Sequence, residues 1–305
     1  MAAAIAKSYY HTLLQCPIVE LNGYIRAHQL PGRLYAYLDF GGATGTAKDG
    51  LATCMLAMAA QSGALKPGQT VIEAAAGTFA TALTLAARTA GHPVVLAVSE
   101  SLSPQRQAEL KKLGAKLEFS GALYGRTGTE KLARQLAQKL DGYYVNYFAN
   151  DLNPEYHRRV TGPAIVKAIA RETGPSLVDA VVVGVGSGGT ITGVGETVRA
   201  WTNDVRIVAV EPYESQAIGG GFIGKHKIPG IGAGFVPENY NPHVVDRVAA
   251  VTSADAARAA YDVLRWDAIP AGVSAGASLA AAAQLLRSGA SKAALCVFSG
   301  RQTAE

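Results

Sequence analysis

The chain predicts an α/β fold in which short apolar strands alternate with helices. Three observations carry that prediction. Of its 305 residues, 49% are hydrophobic and 17% charged, enough for a sizeable core. Segments such as Thr70-Val71-Ile72-Glu73 are short and apolar, as parallel strands usually are. Strand signals also alternate with helical periodicity along the whole chain, without an internal repeat or a low-complexity tract.

Alternation predicts a strand over 33–40, a glycine turn over 41–45 and a helix over 46–64 that Thr46 is placed to cap. Lys48 then falls in the first turn of that helix. A strand at 70–73 leads through Ala74-Ala75-Ala76-Gly77 into a helix over 78–89, and a strand at 94–98 into a helix over 104–113. Short strands at 116–119 and 143–148 flank a helix over 129–140, and Asn153-Pro154 opens a helix running through 171. Beyond it come a strand at 181–183, one at 206–210 ending at Glu211, a glycine-rich loop over 219–234, a helix over 254–264 and a closing unit over 272–299. This winding divides the chain into a smaller α/β lobe, 41–150, and a larger lobe from 1–40 with 151–305.

The formal charge of +5 comes from scattered basic residues without an aromatic-plus-basic motif, so it reads as a solvated surface and an anion pocket, not a nucleic-acid interface. Cys16, Cys54 and Cys296 lack metal-type spacing and form no disulfide framework, which suits a reducing cytoplasm. Residues 1–7 are too short for a signal h-region, no apolar run approaches a membrane span, and only four residues follow Arg301, so no export, no membrane and no appended regulatory domain are expected.

The most informative stretch is Val181-Val182-Val183-Gly184-Val185-Gly186-Ser187-Gly188-Gly189-Thr190, a buried strand running into a glycine-rich turn and a helix from about 191. Glycines let successive N–H groups converge, Ser187 and Thr190 add hydroxyls, and the helix directs its positive end at an anion. A phosphorylated small molecule is the expected guest. Gly184, Gly186 and Gly189 also satisfy G-x-G-x-x-G, with Glu211 where a dinucleotide site places its ribose-binding acid, so a nicotinamide reading stands beside it.

Four motifs in order narrow the choice: 43–49 (Ala-Thr-Gly-Thr-Ala-Lys-Asp), 186–193 (Gly-Ser-Gly-Gly-Thr-Ile-Thr-Gly), 226–235 (His-Lys-Ile-Pro-Gly-Ile-Gly-Ala-Gly-Phe) and 272–277 (Gly-Val-Ser-Ala-Gly-Ala). With Tyr156-His157 and Thr161-Gly162-Pro163, they resemble the cysteine synthase and cystathionine β-synthase family, fold type II enzymes of pyridoxal 5'-phosphate with a two-lobed architecture like the tryptophan synthase β-chain. The resemblance covers nearly the whole chain and makes the nicotinamide reading a minor alternative.

By this resemblance Lys48 is the catalytic lysine that carries the cofactor. Gly186, Ser187, Gly188, Gly189 and Thr190 hold its phosphate, Ser274 meets its pyridine nitrogen, Thr78 lies beside its phenolic oxygen, and no metal is involved. Ser274 could equally be an N-cap, and His157 either structural or functional. A neutral hydroxyl does not keep the pyridine nitrogen protonated, which favours loss of a β-leaving group through an aminoacrylate intermediate over transamination. The implied activity is β-replacement or β-elimination on O-acetylserine or a cysteine-like amino acid, in a protein that is a homodimer as family members commonly are.

The substrate loop departs from the family. Where its members carry Thr-Ser-Gly-Asn-Thr-Gly, this chain has Ala75, Ala76, Gly77, Thr78, Phe79 and Ala80. By the same resemblance Tyr147 replaces a Gln that touches the substrate carboxylate, Gly50 replaces an Arg, and Gly230 belongs either to a loop near the active-site mouth or to a plain turn. Each charge-assisted bond to a carboxylate contributes about 1.5 to 3 kcal/mol, so the altered loop implies an altered substrate, or a paralogue that binds the cofactor in a regulatory or partner role.

Overall fold

The computed structural model describes residues 16–171 and 175–302. Its strands are β1 (Ile18–Glu20), β2 (Arg33–Leu38), β3 (Val71–Glu73), β4 (Val94–Ser99), β5 (Ala115–Ser120), β6 (Tyr143–Tyr144), β7 (Ala180–Gly184), β8 (Arg206–Pro212), β9 (Arg247–Val251) and β10 (Ala293–Phe298). Its α-helices are α1 (Asn22–Ala27), α2 (Lys48–Gln61), α3 (Thr78–Thr89), α4 (Pro104–Lys112), α5 (Gly125–Lys139), α6 (Leu152–Tyr156), α7 (Gly162–Ile169), α8 (Gly189–Trp201), α9 (Ser253–Asp267) and α10 (Val273–Arg287). The chain divides into two compact units, Met1–Gly41 with Asn153–Glu305, and Gly42–Leu152.

The larger unit is built on a sheet of order β1-β2-β10-β7-β8-β9. Every pair is parallel except β1 with β2. Successive residues of a strand point to opposite faces, and both faces are covered, so β7, β10 and residues 207–210 of β8 are apolar without alternation. Val182, Val208, Val210, Cys296 and Phe298 pack with Ala256, Val263, Leu279 and Leu286 of α9 and α10. Their neighbours Val181, Val183, Ile207, Ala209 and Val297 pack on the other face with Ile165, Ile169, Val194 and Val198 of α7 and α8.

The smaller unit carries a wholly parallel sheet of order β5-β4-β3-β6. Ile72, Val95 and Ala97 bury one face against Ala133 of α5. Helix α4 has a side-chain cap, Ser103 accepting from Arg106 N, with proline in its first turn.

Several expectations need correction. Thr46 is not the N-cap of α2: Ala47 is, without a side-chain bond, and Thr46 Oγ1 lies 3.3 Å from Lys48 N. The strand expected over 143–148 stops at Tyr144, because Asn146 takes a left-handed φ of 54° that no strand accommodates. The helix expected from 153 through 171 is interrupted by a π-turn at His157–Thr161 and ends at Ile169. Helix α5 begins at Gly125, before the expected 129. Strands β1 and β9 and helix α1 were not foreseen; α1 is short and held by the Asp267 carboxylate, which accepts from Gly23 N and Tyr24 N.

Residues 1–7, read as too short for a signal segment, lie outside the described residues. Among the described residues no helix is long and apolar enough to cross a membrane, and no group of three or more His, Cys, Asp or Glu is arranged to hold a metal ion.

Candidate active site

In the larger unit the predicted phosphate loop joins β7 to α8. Gly188 has a φ of 84°, and a Cβ on it would lie 2.7 Å from Tyr240 N. A Cβ on Gly186 would come within 2.3 Å of Gly230 O, and one on Gly189 within 1.9 Å of Asn153 Oδ1. Neighbouring backbone and side chain fill the space that any larger residue would need, so the loop keeps its amides bare. Helix α8 has no side-chain cap, which leaves its first N–H groups available to an anion.

The two hydroxyls of the loop are held from behind. Asn153 Nδ2 donates to Ser187 Oγ at 3.0 Å, so the serine proton remains free to donate elsewhere. Thr190 Oγ1 lies 3.1 Å from His157 Nε2, and His157 Nδ1 lies 2.9 Å from Thr161 Oγ1. His157 is 1% exposed, and the π-turn it opens aims it at Thr190. Bare amides, an uncapped helix and two oriented hydroxyls form a donor set suited to a phosphate.

Glu211 is committed elsewhere. Its carboxylate accepts from Ile218 N at 3.0 Å and Gly219 N at 2.9 Å, and burial raises its pKa. A dinucleotide would find its ribose acceptor already used by the chain's own loop. Ser274 is the second residue of α10, whose N-cap is Gly272, so the N-cap reading of Ser274 is corrected. Its hydroxyl has no hydrogen-bond partner among the described residues. Its carbonyl oxygen is 3.8 Å from where a Cβ on Gly184 would stand, beside the loop's start. The structure thus gathers 186–190, Gly230 and Ser274 around the carboxyl end of β7.

In the smaller unit Lys48 is the first residue of α2 and half-buried. The turn before it is organised by Asp49, which accepts from Thr44 N at 2.9 Å and Thr44 Oγ1 at 2.7 Å. A Cβ on Gly42 would strike that carboxylate at 2.3 Å, so glycine and aspartate together set the approach to Lys48.

The loop 74–77 joins β3 to α3. Gly77 is the N-cap of α3 and supplies no side-chain bond, while Thr78 stands exposed at the helix start. Phe79 is buried, and its ring stacks on Tyr147. Glu73 ties both segments together: Oε1 accepts from Ala74 N at 2.8 Å and Oε2 from Tyr147 N at 3.1 Å. Burial nevertheless pushes its pKa up to about 7, overriding the backbone bonds that favour the charged form.

Sequence reasoning missed Asp49, Asn153 and Glu73 as site builders. One signal was present for Glu73, an acid closing an otherwise apolar strand. The others act through partners remote or unremarkable in sequence.

The chain matches the family described as pyridoxal-phosphate dependent enzyme over residues 11–300. It belongs to that family. This member is 32% identical over 268 residues to a cysteine synthase of Staphylococcus aureus, with 88% of the chain and 84% of that protein aligned. Its fold superposes on an O-ureido-L-serine synthase with a TM-score of 0.88 at 28% identity, covering 98% of the chain and 92% of that structure. A cysteine synthase of Entamoeba histolytica superposes with a TM-score of 0.84 at 29% identity, covering 99% and 90% respectively. The cofactor of this pyridoxal-phosphate dependent enzyme is thereby pyridoxal 5'-phosphate, and the phosphate-suited loop accords with it.

Proposed function

We propose that this enzyme performs β-replacement or β-elimination on an amino acid with a β-leaving group, O-acetylserine or a cysteine-like compound, at a substrate site altered in 75–79 and at Tyr147. Ser274 carries the reading of reaction type: it is a neutral hydroxyl without a partner among the described residues, in the first turn of α10. The cysteine synthase and O-ureido-L-serine synthase relatives support the substrate class.

When bound, pyridoxal phosphate supplies an aldehyde for the substrate amine and an electron sink for its α-carbon. Gly186, Ser187, Gly188, Gly189 and Thr190 hold the phosphate through amides and hydroxyls. Ser274 offers the pyridine nitrogen a hydrogen bond without a negative charge. Lys48 would anchor the cofactor, and its Nζ would move the α-proton as a general base. Thr78 serves the phenolic oxygen, the amides of 75–79 take the substrate carboxylate, and Tyr147 and Gly230 border the substrate.

The test is a spectral titration of purified protein loaded with pyridoxal phosphate. Its near-ultraviolet band is expected to vanish in Lys48→Ala and to shift on adding O-acetyl-L-serine or cysteine, with product formation when sulfide is supplied. A second reading, a cofactor-binding paralogue with a regulatory role, draws on the loss of side-chain donors at Ala75 and Ala76. A band present in wild type but unmoved by every amino acid tried would favour it. We further take the working form to be a cytoplasmic homodimer: Cys16, Cys54 and Cys296 form no disulfide, which suits a reducing compartment, and the family resemblance supports the dimer. A light-scattering mass near 31.6 kDa would remove the dimer.

A further inference from the structure

Arg106 reaches from α4 to the loop that precedes α3. Its Nε donates to Ala76 O at 2.8 Å, while its Nη2 donates to Gly77 O at 2.9 Å and to Thr81 Oγ1 at 2.7 Å. The remaining arm, Nη1, pairs with Glu109 at 2.9 Å, which fixes the plane of the guanidinium. One planar fork therefore holds two successive peptide carbonyls.

A trans peptide points its C=O and N–H in opposite directions. Holding Ala76 O and Gly77 O on the Arg106 side turns the N–H groups of Gly77 and Thr78 away from it. Those N–H groups open α3, whose N-cap provides no side-chain acceptor. At the other end of the loop, Glu73 takes Ala74 N–H, so the segment is clamped by an acid at its start and a base at its finish. Ala75 and Ala76 contribute no side-chain donors, which leaves the backbone amides, beside the Thr78 hydroxyl, as the loop's means of gripping an anion.

We infer that Arg106 is a positioning residue for substrate binding: by holding the carbonyls of Ala76 and Gly77 it presents the Gly77 and Thr78 amides to the substrate carboxylate. This rests on the function proposed above for 75–79. Arg106 itself does not touch the substrate. Lysine, a point donor, does not reproduce the two-carbonyl grip, and methionine abolishes it.

The test uses the full chain loaded with pyridoxal phosphate and labelled with nitrogen-15, titrated with acetate as the carboxylate probe. The Gly77 and Thr78 amide resonances are expected to move in wild type. Arg106→Met should need roughly ten times more acetate or beyond, with Arg106→Lys intermediate. Glu109→Gln, which spares the loop bonds, should stay within about twofold of wild type, as the loss of an exposed ion pair does. Cofactor affinity should be unchanged in Arg106→Met, a readout that general destabilisation would move. The inference is overturned if acetate leaves both amides unmoved in wild type, if Arg106→Met responds like wild type, or if cofactor affinity falls in step with the acetate response. A wild-type protein whose amides respond through Arg106 but whose cofactor band ignores O-acetyl-L-serine would instead refute the proposed substrate.

Discussion

The rings of Phe79 and Tyr147 stack with their centroids 3.9 Å apart and their planes 22° from parallel. Phe79 is the second residue of α3 and Tyr147 follows the left-handed Asn146, so the pair joins the segments that follow β3 and β6. Tyr147 meets Phe148 edge-on at 4.9 Å, extending the cluster. Where the family resemblance expects polar side chains, this chain has built an aromatic plug.

That plug has a measurable coupling. Offset aromatic pairs contribute about 0.5 to 1.5 kcal/mol beyond the area they bury. A double-mutant cycle of Phe79→Leu and Tyr147→Leu, read by urea denaturation, should return a coupling in that range. A coupling indistinguishable from zero would mean that the two rings are neighbours without interaction.

Glu73 makes stability depend on pH. Its pKa lies near 7 in the folded chain against an ordinary 4.5, so between these values the folded state holds a proton that the unfolded chain has released. Stability should therefore fall as pH rises through this window, by an amount on the order of 3 kcal/mol, and be flat from this group below it. Burial is the main cause of that raised pKa, and the nearby negative charge of Glu130 adds to it. Glu73→Gln should flatten the slope of melting temperature between about pH 5 and 7, since the amide does not titrate. An identical slope in the variant would assign it to other groups.

Gly189→Ala should empty the phosphate cradle. The added methyl would stand 1.9 Å from Asn153 Oδ1 and 2.6 Å from its Cγ, forcing Asn153 away from Ser187. Overpacking of this kind typically costs about 1 to 3 kcal/mol. Equilibrium dialysis should show weaker retention of pyridoxal phosphate together with a lower melting temperature. Wild-type retention would show that the cradle tolerates the displacement.

His157→Phe removes both bonds that link Thr161 to Thr190. Leaving those two hydroxyls without their buried partner should cost about 1 to 3 kcal/mol of stability. Free to rotate, Thr190 should also slow cofactor reassembly after resolution. Thr190→Val in the His157→Phe background should then add little, because the bond it would break is already gone.

The strand-and-helix order was readable because it follows from local rules. Two-residue and 3.6-residue periodicity, glycine turns and proline starts act within a few neighbours, and α3 runs over the predicted 78–89. Boundaries failed where one residue's backbone decided them. Asn146 ended a strand by turning left-handed, and the π-turn at His157 broke a helix whose composition signals none.

By itself the amino-acid order determined an α/β chain with a glycine-rich phosphate loop after β7, and four motifs pointing to pyridoxal phosphate, since each depends on residues adjacent in the chain. Tertiary structure decided what stands behind them: Asn153 on Ser187, His157 on Thr190, Glu73 on Tyr147 and Arg106 on the Ala76 carbonyl, pairs separated by 34, 33, 74 and 30 residues. A hydrogen bond requires atoms about 3 Å apart, and separation along the chain carries no record of which distant groups the sheet will bring that close.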